Sequence, residues 1–393
     1  MRIAVFLAVV LSVTLGLHYF FWARLVRDTA LPAPYRQWAT ALVVSLGVSL
    51  PLAMFLGRVL PPAWRGPLAW PVFVWMGVMF LLFVTLLGAE LVRLGLSGWA
   101  RLTGEGPLDP ARRTFFARLL GGAAGATAGT LGAYSVYQAI AALHVREVEV
   151  KLDRLPEASR GTTIVQLTDV HLGATLGRAF CQAIVDKVNA LAPDVVAITG
   201  DLVDGTVEQL REAAAPLARL RARHGVYFVT GNHEYYSGVG PWMEELARLG
   251  IRVLRNERVA IEPHGPGASE GSPPQGGFDL AGVDDYTAFG DGHRADLPRA
   301  LAGRDPARPV VLLAHQPRQV REAAALGVDL QISGHTHAGQ IWPFKYLVRL
   351  VQPFVAGLGR LHHTQIYVSA GTGYWGPPLR LGTQAEITRI TLA

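Results

Sequence analysis

The hydrophobic pattern of this chain changes character about a third of the way along. Before that point lie four near-continuous apolar segments, Ile3–Trp22, Trp38–Gly57, Trp70–Val92 and Leu119–Leu143. Each has roughly the twenty residues that a helix needs to cross a bilayer. Tyr35, Trp38 and Trp70 stand near segment ends, where amphipathic rings favour the headgroup zone. The fourth segment is richer in Gly and Ala than in Leu. The first has a long apolar core and no small-residue cleavage site after it, which argues against a removable leader.

Beyond residue 160 short apolar runs alternate with helix-like stretches. Thr163–Leu167, Val195–Thr199, Val226–Val229 and Val310–Ala314 predict buried strands, and Val328–Ser333 is a further apolar run. Phe180–Ala190, Val207–Arg223 and Trp242–Leu249 predict helices. Strand then helix, repeated, is the grammar of a layered α/β domain. Arg258–Ile261 and Phe278–Gly282 read as strands around a Gly-, Pro- and Ser-rich tip, Glu262–Gly277. His144–Leu152 alternates in the strand manner, and Leu155–Gly161 reads as a turn. The expected organisation is therefore a multi-span α-helical membrane region over 1–143, a linker and lead strand over 144–160, and an α/β domain over 161–393. Phe344–Leu361 mixes apolar and basic residues irregularly; a buried connection is favoured over a lip that dips into a membrane.

Composition sharpens this division. Half of the 393 residues are hydrophobic and only 17% are charged, an apolar excess concentrated in the first third. The net charge of +6 owes much to arginine in the loops between apolar segments. Arg24, Arg27 and Arg36 follow the first segment, and Arg93, Arg101, Arg112, Arg113 and Arg118 follow the third; only Arg58 and Arg65 separate the second from the third. Positive-inside topology then leaves the α/β domain extracytoplasmic. Arg112-Arg113 before a mild apolar segment resembles an embedded twin-arginine export signal, with ordinary cytoplasmic arginines as the alternative. Membrane lipids are the expected partner. No basic run is interleaved with aromatics, so nucleic acid is not expected. The one cysteine, Cys181, reads as a packed thiol.

The candidate chemistry sits where apolar runs end. Asp169 and His171, Asp201, Asn232 and His233, His315, and finally His335 and His337 each follow such a run. Ligands collect at the carboxyl ends of strands in layered sheets, and independent structural histidines would not gather there five times. The donors are carboxylate, imidazole and carboxamide without thiolate, which suits Mn, Fe or Zn. Asp201 is placed to bridge two ions, and Asn232 offers one weak carbonyl ligand. Two ions about 3.5–4 Å apart clamp the attacking and leaving oxygens of an in-line phosphoryl displacement and acidify water. His233, beside Asn232 on a tight turn, is suited to protonate or stabilise the departing oxygen.

Asp-x-His, Gly-Asp, Gly-Asn-His-Glu, His and Gly-His-x-His in this order resemble the calcineurin-like metallophosphoesterase superfamily, over residues 161–393. The resemblance implies one metal on Asp169, His171, Asp201 and His337. It implies a second on Asp201, Asn232, His315 and His335, with His233 catalytic; Asp204 and Glu234 are at most supporting residues. Val165–Gly173, Gly282–Asp285 and Gly334–Gln340 are similar to a membrane-associated bacterial branch of that superfamily, with Ala338 where the branch commonly has Gly. Relatives there include transmembrane proteins with a metallophosphoesterase domain and enzymes that cleave the pyrophosphate of UDP-diacylglucosamine. The implied activity is hydrolysis of a phosphodiester or pyrophosphate, lipid-linked, at the bacterial inner membrane. A cytoplasmic UDP-lipid and an extracytoplasmic site are in tension. A nuclease or cyclic-nucleotide phosphodiesterase, and a non-catalytic membrane sensor or scaffold, remain as alternatives.

Overall fold

The structure, a computed structural model, describes residues 2–60, 62–104, 109–141, 143–263 and 276–393. Contacts divide it into two units, Met1–Tyr137 with Gly376–Leu379, and Gln138–Trp375 with Arg380–Ala393.

In the first unit, the described residues form four long helices along the four apolar segments, α1 (Arg2–Trp22), α2 (Tyr35–Val59), α3 (Pro62–Leu102) and α4 (Pro110–Ile140), the last ending before its segment does. Among the described residues two stretches, Ala8–Arg27 and Trp64–Leu102, are long and apolar enough to cross a membrane, with mean hydropathies of 1.5 and 2.4. α3 outruns the expected Trp70–Val92. Its 41 residues extend for about 60 Å at 1.5 Å per residue. Glu90, within it, lies 2.7 Å from Arg93 and 2.8 Å from Arg24, so its charge is balanced inside the unit. α4 buries Gly121, Ala124, Ala128 and Gly132, small residues recurring every third or fourth position. That spacing lets helix backbones approach closely, and a Cβ on Gly132 would meet Val78 at 2.8 Å.

Among the described residues the second unit contains twelve strands. In chain order they are β1 (His144–Val150), β2 (Thr163–Leu167), β3 (Val195–Ile198), β4 (Val226–Phe228), β5 (Arg252–Val253) and β6 (Glu257–Ile261), then β7 (Phe278–Gly282), β8 (Val310–Leu313), β9 (Leu330–Ser333), β10 (Gly357–Leu361), β11 (Thr364–Val368) and β12 (Glu386–Leu392). They form two six-stranded mixed sheets, ordered β1-β12-β2-β3-β4-β5 and β10-β11-β9-β8-β7-β6. Ile164, Ala197, Leu313, Ile332 and Tyr367 fill the space between them. On the outer face of the first sheet lie α5 (Arg178–Ala190), α6 (Val207–Ala214) and, after the short α7 (Asn232–Ser237), α8 (Val239–Arg248). α9 (Leu297–Ala300) and α10 (Val320–Ala325) cover the second. Central strands are thus buried on both faces, and this is why they read as continuous apolar runs instead of alternating ones.

Several expectations are corrected. The helix expected over Val207–Arg223 ends at Ala214 and passes into a 3₁₀ turn, Ala215–Arg219. Pro216 cannot donate to the helical ladder and its ring crowds the preceding turn. Phe344–Leu361 is not a buried connection: a short helix, α11 (Lys345–Val348), and the residues beside it are largely exposed. Arg258–Ile261 and Phe278–Gly282 pair antiparallel as β6 and β7, while the tip between them, over 264–275, lies outside the described residues. The packed-thiol reading of Cys181 fits its full burial on the core face of α5. Removing solvent pushes that thiol up to about 12.

Trp242 ties α8 to the site end of the first sheet. It is fully buried and donates Nε1–H to the Gly205 carbonyl at 2.8 Å. Trp242→Ala is expected to cost about 3–5 kcal/mol of stability, measured as a lowered midpoint of thermal unfolding. Trp242→Phe should cost less, chiefly the roughly 1–3 kcal/mol of a carbonyl left without its donor.

Candidate metal centre

All the candidate residues lie in the loops leaving five strands. Asp169 and His171 follow β2, Asp201 follows β3, and Asn232 and His233 open α7 after β4. His315 follows β8, and His335 and His337 follow β9. Their backbones share a property that sequence does not show. Among the described non-glycine residues, eleven have positive φ, and five of them are Asp169 (51°), His171 (50°), Asp201 (51°), His335 (69°) and His337 (49°). Left-handed backbone costs an L-residue roughly 1–2 kcal/mol, so these turns must be held by their surroundings.

The holding contacts are backbone N–H groups aimed at carboxylates. His335 N–H donates to Asp169 at 2.9–3.0 Å, and His233 N–H donates to Asp201 Oδ1 at 2.9 Å. Glu234 is buried and accepts from Gly231, Leu202 and Asp201 at 2.7, 2.8 and 3.0 Å, tying the loops after β3 and β4 together. Its role is capping. The glycines before these residues permit the approach: a Cβ on Gly334 would fall on Asp169 Oδ2 and Thr168 Oγ1, and one on Gly231 would fall on Asp201 Oδ1.

The side chains converge as two groups of acceptors. Asp169, His171 and His337 place ligand atoms within 4.8 Å of one another, and so do Asp201, His315 and His335. His171 Nε2 lies 3.1 Å from His337 Nε2, and His315 Nε2 lies 3.2 Å from both His335 Nδ1 and Asp201 Oδ2. Asp201 Oδ2 is also 4.0 Å from His171 Nε2, so this carboxylate serves both groups. Two neutral imidazole lone pairs at such separation repel unless a proton or a cation lies between them. Asn232 Oδ1 is buried without a hydrogen-bond partner, and an orphaned buried acceptor is costly. The donor set therefore fits divalent cations. His171 Nδ1 faces Asp204 at 3.1 Å and His315 Nδ1 faces the Thr199 carbonyl at 2.8 Å, which fixes both Nε2 atoms toward the interior.

Protonation follows the same crowding. Burial opposes the charged form of His171, but Asp204 and then Asp201 and Asp169 outweigh it and raise its pKa to about 9. His315 is raised for a like reason: burial is outweighed by Asp201. His335 is pushed down to about 3 by burial and by the neighbouring His315 cation. Asp201 is held well below the usual carboxylate range because His315 outweighs its burial. His233 differs in access and in partner. It retains 16% of its side-chain exposure, and its Nδ1 lies 2.5 Å from Asp204 Oδ1. Burial would lower its pKa, but the Asp204 contact raises it, which leaves Nε2 as a proton donor facing the rim.

Of three supporting residues, only Asp204 was a candidate from sequence; it is one carboxylate shared by His171 and His233. Thr168 and Arg380 were not legible. Thr168 Oγ1 donates to Asp169 Oδ2 at 2.7 Å. Arg380 is fully buried, with no carboxylate in ion-pair range among the described residues. It donates to the carbonyls of Ala370 and Gly371 at 3.0 and 3.2 Å, and to that of Gly373. The loop so gathered supports Asp169, whose carbonyl accepts from Gly373 N–H at 2.9 Å.

Two sheets whose strand ends gather this donor set define a metal-dependent phosphoesterase architecture. Comparison with known proteins agrees. The calcineurin-like phosphoesterase family matches residues 162–339. A Danio rerio protein named transmembrane protein with metallophosphoesterase domain is 37% identical over 390 residues, 95% of this chain and 85% of its own. A Bos taurus protein of the same name is 41% identical over 322 residues, covering 80% and 71% of the two chains. An uncharacterized metallophosphoesterase of Helicobacter pylori is 41% identical over 259 residues, 65% of each. The chain belongs to the calcineurin-like metallophosphoesterases, hydrolases of phosphoester bonds.

Three measurements follow. A cation on His171 must expel the proton held there up to about pH 9, so affinity should rise about tenfold per pH unit from neutrality and level off above 9. Isothermal titration with Mn across that range, in buffers of different ionisation enthalpy, counts the protons released. Stability of chelated protein carries the matching signs. The raised His171 contributes stability that is whole below 6.5 and lost as pH rises through about 9; the lowered His335 costs stability as pH falls from 6.5 toward about 3. Ala338 also has positive φ, at 54°. Ala338→Gly should relieve strain and stabilise by up to about 1 kcal/mol, seen as a raised unfolding midpoint with unchanged metal content.

Proposed function

We propose that this protein is a membrane-anchored, dinuclear-metal-dependent hydrolase of a phosphodiester or pyrophosphate, with a lipid-linked substrate. The observation that carries the reading is the pair of acceptor groups sharing Asp201, with the His233–Asp204 pair beside them. One cation would be held by Asp169, His171, Asp201 and His337, the other by Asp201, Asn232, His315 and His335. Such cations supply Lewis acidity toward phosphoryl oxygens and lower the pKa of water. Asn232 adds a neutral oxygen and so leaves positive charge uncompensated at the second position. His233 gives its Nε2 proton to the departing oxygen, and Asp204 holds the ring and stabilises its charge.

Two apolar helical stretches and the names of the vertebrate relatives support anchoring in a membrane. The arginine distribution favours an extracytoplasmic catalytic unit at a bacterial inner membrane. On that side an outer-leaflet phospholipid, or another extracytoplasmic phosphoester, fits better than cytoplasmic UDP-diacylglucosamine. A hydrolase confined to a bilayer gains most from a substrate confined to the same surface.

The test is hydrolysis by full-length protein in vesicles with Mn, offered phospholipids, UDP-diacylglucosamine and bis-p-nitrophenyl phosphate. His233→Ala is expected to lower kcat by about 10²–10⁴ on lipid substrates while retaining bound metal. Its loss should be smaller on the nitrophenyl diester, whose leaving group needs no proton. Asp201→Asn should lose metal and activity together. Both substitutions should also abolish function in the cell; function left intact there by both would leave only a binding role for the fold.

A further inference from the structure

The loop carrying His335 and His337 continues into a surface that the hydrolytic chemistry does not use. From Trp342 to Val351 the chain turns helically around α11, and the backbone bonds continue past it, with Arg349 N–H donating to Lys345 at 3.2 Å and Val351 N–H to Val348 at 3.1 Å. Soluble proteins seldom display such a cluster: Trp342, Tyr346, Leu347, Leu350 and Val351 are all exposed, Leu350 by 79% and Val351 by 63%. Positive charge lies among them. Lys345 Nζ is 5.3 Å and Arg349 Cζ 5.9 Å from the Tyr346 ring centroid. No acidic residue occurs between Trp342 and Leu361.

This surface is fixed to the catalytic loops at both ends. Gly339, two residues after His337, lies so close to Lys345 that a Cβ there would meet the Lys345 backbone at 2.5 Å. Trp342 N–H donates to the Leu381 carbonyl at 3.0 Å. At the far end Gln352 is buried; its Oε1 accepts from Arg318 N–H at 3.1 Å and its Nε2 donates to Gln316, the residue after His315, at 3.4 Å. The exposed segment is thus a rigid lip on the rim that bears the candidate metal ligands.

We infer that the Trp342–Val351 lip seats in the headgroup region of an anionic lipid surface. Indole and phenol rings favour that zone, aliphatic tips gain by leaving water, and Lys345 and Arg349 meet anionic headgroups at the same level. A protein partner recognising this surface would need acidic groups matched to two cations on a small, exposed, aromatic turn. A bilayer supplies that combination without a specific counter-shape. The inference deepens the lipid-substrate reading and rests on it, because the seated lip would bring headgroup phosphates to the rim that holds His337.

The experiment uses full-length protein reconstituted in vesicles of phosphatidylcholine with and without phosphatidylglycerol. Leu350→Cys is labelled with an environment-sensitive fluorophore; buried Cys181, its thiol pushed up to about 12, stays unlabelled. Arg221→Cys, on the loop entering β4 at the opposite strand end, is the control. The Leu350 label should shift to the blue and be quenched by headgroup-level nitroxide lipids in anionic vesicles, and the Arg221 label should not. Lys345→Gln with Arg349→Gln should lower the seated-to-free ratio about thirty-fold, while bis-p-nitrophenyl phosphate hydrolysis is unchanged. Quenching of equal size in phosphatidylcholine alone, or in neither vesicle, overturns the inference. If the label behaves as expected but neither diester nor lipid is cleaved, the hydrolase reading fails and the lip stands.

Discussion

The crowding of lone pairs and carboxylates at one rim of the two sheets governs the rest of the catalytic unit. Imidazole nitrogens 3.1–3.2 Å apart, with carboxylates beside them, form an arrangement that burial alone does not favour. It requires left-handed backbone at residues that resist it, glycines where loops touch, and N–H groups spent on Asp169, Asp201 and Glu234. It also requires a rigid support. Two sheets with a dry core between them and helices outside, packed to crystal-like density, supply one. The local strain at the rim is a small fraction of what that burial contributes, and a cation entering between the acceptors would remove the remaining repulsion.

How much of this was legible follows from what each feature depends on. The metal-ligand candidates could be read because each ends an apolar run, and a run buried on both faces is a local property of sequence. The mutual arrangement of Asp201, His315 and His335 could not be read from spacing, since it depends on two sheets meeting. Strands β10, β11 and β12 escaped for another reason. Gly357 and Gly359 in β10 carry no strand preference, and β12 is placed by parallel pairing with β1, more than two hundred residues away. Arg380 gave no signal at all, because its partners are carbonyls that every residue possesses.

The helical unit shows the same division between local and distant causes. Its four helices follow from unbroken apolarity. What sets their contacts is finer: the small-residue face of α4, and the charge of Glu90 met from two sides. In the sequence Glu90 is an anomaly near a span end. In the structure it is a clasp between α3 and the turn after α1. The lip beyond His337 is the opposite case, a stretch whose mixed character pointed toward burial but whose side chains face outward.

Arg380 has a consequence for the electrostatic setting of the site. Burial lowers its pKa only to about 10, so it remains charged throughout the neutral range. Its Nη2 and His337 Nδ1 both border the space beside Gly371, together with Asp169. The positive charge on the candidate ligands themselves is exchangeable, since protons leave with rising pH and cations leave with chelation. The guanidinium is a permanent background potential. It biases the nearest imidazole toward its neutral, ligating form under all such conditions, so readiness to bind is maintained by a charge that itself never takes part in binding.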